Sequence, residues 1–95
     1  MLEEVKSELR ITWDDEDIRL QGLIERAKAY LNDLAGAKLD FEEEGVPKDL
    51  LLARCRYVYN NAAEYFEENF HSEIVRLQYQ VGIQEMLKAG DDDAK

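Results

Sequence analysis

Residues 47–70 read P-K-D-L-L-L-A-R-C-R-Y-V-Y-N-N-A-A-E-Y-F-E-E-N-F, and this stretch decides the fold because it is apolar on more than one side. At about 100° per residue, Leu51, Cys55, Val58, Ala62 and Phe66 fall on one stripe. Leu52, Tyr59, Ala63 and Phe70 widen that stripe along one edge, and Leu50 and Tyr57 lie well away from it. A helix resting on a small core needs only one apolar face. The surplus predicts a central helix over 47–70, with neighbours on more than one side. Pro47 suits its first turn, where an N–H would lack a partner anyway, and Asp49 complements the positive end of the helix dipole.

Upstream, W-D-D-E-D-I at 13–18 opens a second helix. Asp14 is expected as its N-cap, with Asp17 at the third position and Trp13 stapled against Ile18. The stripe Leu20, Leu23, Ile24, Ala27, Tyr30, Leu31 and Leu34 continues at helical spacing to Gly36, a natural stop. Before it, Leu2, Val5 and Leu9 predict a short amphipathic helix over 2–10 that must dock on something, since it is marginal alone. Ile11-Thr12 breaks that pattern. Residues 37–46 read as an acidic connection, with Leu39 and Phe41 tucking back onto the core. Downstream, Ser72-Glu73 suits the start of a last helix. Over 73–89 it shows two apolar edges: Ile74, Leu77 and Val81 on one, Val75, Tyr79, Ile83 and Met86 on the other. A terminal helix of so small a domain needs one burial face, so the second edge is expected to meet another chain.

The fold class is therefore all-α: a small bundle of about four helices, one short and N-terminal, two long, and one C-terminal. With 95 residues there is room for one domain. It is expected over 1–90, with 91–95 as an acidic, disordered tail. The 12 basic residues against 22 acidic ones give a net charge of −10. That argues against gripping nucleic-acid phosphates, which requires Lys and Arg to neutralise them. No stretch reads as a secretory signal or membrane span, so a cytoplasmic compartment is expected.

Candidate chemical sites fare poorly. Consecutive carboxylates Asp14 to Asp17 diverge around a helix start, whereas metal ligands converge. Residues 40–51 imitate a calcium loop, but the twelfth position is Leu51 and Pro47 interrupts it. His71 is the only histidine and reads as a helix-end surface residue. Cys55, the only cysteine, lies on the apolar stripe and reads as a small hydrophobe. No catalytic, cofactor-binding or metal residues are expected, and the chain does not read as an enzyme. Arg54 and Arg56 are balanced between ion pairs with Glu64, Glu67 and Glu68 and pairing with acidic residues of a neighbouring subunit. Trp13, Tyr57, Tyr59 and Tyr65 read mainly as core residues with polar tips, and secondarily as interface anchors. The candidate interface set is Arg54, Arg56, Val75, Tyr79, Ile83 and Met86.

The ordered set L-R-I-x-W-D-D-E-D, L-x-x-L-I-E-R-A-K-A-Y-L-N-D-L-A-G, P-K-D-L-L-L-A-R-C-R-Y-V-Y-N-N-A and S-E-I-V-R-L-Q, covering about residues 2–78, resembles the small head–tail connector (adaptor, DNA-packaging) proteins of tailed bacteriophages and prophages. The resemblance implies an all-helical adaptor with no catalytic activity and no cofactor. Such proteins form a homo-oligomeric ring under the portal protein at the capsid vertex. With a stopper or tail-completion protein they close the filled head and provide the platform for the tail. Genome DNA passes through the channel without sequence-specific binding, and an acidic lining would let it slide. The implied location is the virion, with assembly in the host cytoplasm and no membrane partner. The rival reading is a small acidic helical regulator or inhibitor that captures a basic partner. A helix-turn-helix should carry a basic recognition helix, and none is present.

Overall fold

The structure, a computed structural model, describes the backbone of residues 1–93 and the side chains of residues 1–87. The tail expected over 91–95 falls outside the described side chains. Every regular element of the described residues is helical, in the order α1 (Leu2–Leu9), α2 (Asp17–Ala35), α3 (Val46–Tyr59), a 3-10 turn (Ala63–Tyr65), α4 (Phe66–Asn69) and α5 (His71–Asp93).

α3 is central. It packs against α1, α2, the 3-10 turn, α4 and α5, as its surplus of apolar faces requires. Leu51 and Cys55 on its main stripe are fully buried, and so is Leu50, which points away from that stripe. Each large apolar side chain withdrawn from water in this way contributes about 1.5–3 kcal/mol. α2 buries Leu20, Leu23, Ile24, Ala27 and Leu31, following its predicted stripe closely. In the connection, Phe41 is buried and Leu39 half-buried, and the Leu39 N–H donates to Asn32 Oδ1 at 2.8 Å.

Two local expectations are corrected. The first concerns 47–70, which is not one helix. α3 ends at Tyr59, and Asn61 adopts a left-handed conformation with φ 59°. The Ala62 N–H donates to the Tyr57 carbonyl (2.8 Å) and the Asn61 N–H to that of Val58 (3.1 Å). This is a Schellman ending with asparagine in the position glycine usually holds. The chain then turns back, so that Phe66, Phe70 and Tyr57 meet: Phe66 is fully buried, 5.8 Å from the Tyr57 ring and 5.1 Å from that of Phe70. The last helix begins at His71 rather than after Ser72.

The second correction is at 13–18. α2 starts at Asp17 behind Glu16, without a side-chain cap, and Trp13 and Ile18 are both exposed, so no hydrophobic staple forms. Asp14 and Asp17 are drawn to Lys6 instead, at 2.6 and 2.8 Å. An ion pair to a nearly buried ammonium outcompetes capping of a helix end that lies in water.

Candidate interaction surface

The inner edge of α5 is anchored. Ile74 and Leu77 are buried, Val81 is half-buried, and Gln78 Nε2 donates to the Leu34 carbonyl at 2.8 Å, tying α5 to the end of α2. From Gly82 to Leu87 every residue is exposed, whichever side of the helix it occupies. α5 thus leaves the body near Val81 and continues as an arm. The outer edge is open along its length: Val75, Tyr79, Ile83 and Met86 are all exposed, Tyr79 by 70% and Met86 by 75%, and Leu87 adds to them at 65%. Apolar residues at i, i+4, i+8 and i+11 along an uncovered helix make a ridge that gains free energy only by finding a partner.

Arg54 and Arg56 sit differently. Arg54 lies 3.8 Å from the centroid of the Tyr30 ring and donates to the Ala63 carbonyl at 3.4 Å, bracing the turn after α3. Arg56 pairs with Glu8 of α1 at 3.0 Å. Both arginines therefore hold contacts within the chain, and neither pairs with Glu64, Glu67 or Glu68. Tyr57 and Tyr59 are half-buried with their hydroxyls engaged, by Asn69 and Glu16 respectively, whereas Tyr65 is exposed.

The chemically versatile groups stay apart. Cys55 is enclosed in the core, and burial pushes its thiol up to about 11. His71 is exposed at the start of α5. Among the described residues, no three His, Cys, Asp or Glu side chains converge as metal ligands. None of those helices is long and apolar enough to cross a membrane.

The model of the phage gp6-like head-tail connector protein family matches residues 1–88. The chain belongs to this family. No curated protein and no solved structure matches it significantly. Membership implies a structural role at the head–tail junction of a tailed-phage virion, in association with head and tail components.

In this connector two lysines play a part that the sequence reading did not assign. Lys6 and Lys48 are nearly buried, each between two carboxylates: Lys6 with Asp14 and Asp17, Lys48 with Glu4 and Glu44. Hydrogen bonds to those carboxylates, led by Asp14 for Lys6 and Glu4 for Lys48, raise both ammonium groups above the ordinary lysine range. With the Arg56–Glu8 pair, they fasten α1 to the α1–α2 loop and to α3. The i, i+4 spacing of Glu44 and Lys48 was the one available signal, and Lys6 to Asp14 had none.

The connector's Glu16 is a second hub. One oxygen accepts from Trp13 Nε1 and from the Tyr59 hydroxyl, both at 2.9 Å, and the other from Arg19 at 2.7 Å. The Trp13 bond, then that from Tyr59, holds its carboxyl below the ordinary carboxylate range. Residues 13–19 are thereby pinned to the end of α3.

Proposed function

We propose that this connector is the repeating subunit of an adaptor ring beneath the phage portal. The ring takes part in head completion and tail attachment, together with the portal and a stopper or tail-completion protein. One observation carries the reading: α5 extends beyond the body with an uncovered apolar ridge, and the family to which the chain belongs works at a head–tail junction. A ring requires two different surfaces on each subunit, one offered and one receiving. The anchored inner edge of α5 leaves the outer edge and the arm free to be offered. The net charge of −10 suits a channel along which DNA slides without being held.

The test is the native mass of the full chain against concentration, by light scattering on a sizing column, with negative-stain images of any large species. Closed rings are expected. Replacing Tyr79 and Ile83 with Asp should abolish them while leaving the helical circular dichroism intact, because both side chains are exposed. Rings that persist in that variant would remove the outer edge of α5 from the interface. A monomer that captures a basic host protein would instead support the regulator reading.

A further inference from the structure

We infer that the α5 ridge of one copy docks on the corner that Trp13, Asp15 and Ile18 form at the start of α2 in a second copy. This inference rests on the ring reading and gives the offered edge its receiving surface. Apart from Tyr65, the large apolar side chains that stand exposed among the described residues fall in two places, the α5 ridge and this corner. Ile18, at 88%, is the most exposed of them, and Trp13 is open by 47%.

The corner is held in place before any partner arrives. Glu16 accepts from Trp13 Nε1, from the Tyr59 hydroxyl and from Arg19, so the polar edge of the indole is satisfied while much of its apolar surface stays in water. An aromatic anchor already fixed in this way gives up little freedom when it is covered.

Charge agrees on both sides. Of the four carboxylates from Asp14 to Asp17, Asp14 and Asp17 pair with Lys6 and Glu16 holds the three donors just named. Asp15 is exposed and joins no ion pair among the described residues. On α5, residues 74–84 carry a single charge, Arg76, in a chain of which 36% is charged. Arg76 is exposed and likewise in no ion pair among the described residues, with Glu73 one turn before it included. At about 100° per residue Arg76 flanks the ridge, about 65° from its midline, whereas Glu73 and Glu85 are turned about 120° away. An edge of Val, Tyr, Ile and Met with one arginine has the make-up of an interface centre. It complements a corner of Trp and Ile with one free carboxylate.

The ridge of the same chain does not reach its own corner. α5 meets the C-terminal end of α2 through Gln78 and Leu34, and further on Gln84 and Glu85 border the 37–44 connection. Ile18 precedes Leu34 by sixteen residues, about 24 Å of helix. A second copy must supply the ridge, and because the offered and receiving surfaces differ, the contact repeats head to tail.

Trp13 is the only tryptophan, so its fluorescence reports on this corner alone. The experiment follows the full chain from dilute to concentrated by tryptophan emission, acrylamide quenching and sedimentation equilibrium. Emission should move to shorter wavelength, and quenching should fall, in step with association. Asp15→Arg and Arg76→Asp, each checked for folding by circular dichroism, should weaken association by about fivefold or more, because like charges then meet, and the combined variant should recover it. Association that leaves Trp13 emission unchanged overturns the docking and leaves the ring reading standing. So does a spectral shift with no recovery in the combined variant, since another surface would then cover the corner. A wild-type chain that stays monomeric at every concentration overturns both.

Discussion

At the level of single residues, the polar contacts make the fold dependent on pH. Glu4 and Glu16 both sit below the ordinary 4.5, held there chiefly by hydrogen bonds from Lys48 and from Trp13. A depressed carboxyl means that the folded chain binds fewer protons than the unfolded one. Its contribution is present above about 4.5 and is lost as pH falls through the folded value. Urea midpoints should therefore drop between about pH 6 and pH 3, and Glu16→Gln should flatten that limb of the profile. An equally steep limb in the variant would remove Glu16 from the account. Cys55 gives a second check. Enclosed and pushed up to about 11, it should resist alkylation near pH 8 in the folded chain and react at once in urea. Its burial was legible from helical spacing alone. The buried lysines were not, because a lysine reads as surface until its partners are known, and those of Lys6 lie 8 and 11 residues away across a turn.

The secondary-structure elements end where the backbone is tied off, and three of them end alike. Gly36, Arg10 and Asn61 each occupy the left-handed region, with φ of 74°, 60° and 59°. Glycine takes that conformation freely, asparagine at little cost, and arginine at a cost of about 1 kcal/mol. Opposite signs follow for two substitutions. Arg10→Gly should raise the unfolding free energy by up to about 1 kcal/mol, and Asn61→Ala should lower it by about the same amount. Urea denaturation measures both, and two shifts of equal sign would contradict the shared geometry. The break at Asn61 also shows the limit of a periodicity reading. The stripe Leu51, Cys55, Val58, Ala62, Phe66 keeps helical spacing across the turn, since Phe66 returns to the same core from α4. Hydrophobic spacing records which residues are buried and not whether the backbone between them is continuous. The Asn60-Asn61 pair was the available stop signal. At 13–18 the misreading has another cause: every local rule for capping was met, and the charge of Lys6, distant in sequence, took the carboxylates.

For the molecule as a whole, the separation between body and arm matters most. The two-edged pattern over 73–89 was visible in the sequence, and it distinguished buried Ile74 and Leu77 from exposed Val75 and Tyr79. What it left open was the point at which the body stops supporting the helix, because that depends on how far α2 and the 37–44 connection reach. The structure sets it after Val81. From there Gln84 and Glu85 still border the 37–44 connection, but every described side chain is exposed, and a short helical segment so thinly supported is marginal in water. Gly82 stands at the departure point, and a methyl group there would meet nothing within 4 Å. Its cost is one of helix propensity, about 1 kcal/mol relative to alanine. In dilute monomer, amides of residues 83–87 should exchange with solvent much faster than those of 74–81, by local fraying rather than global unfolding. Assembly should protect them, since a covered arm can no longer fray. Gly82→Ala should slow exchange in the monomer by up to about fivefold and raise helical circular dichroism, while the stability of the body stays unchanged. Equal protection on both sides of Val81 in the monomer would mean that the arm is already supported, and that what covers it belongs to the same chain.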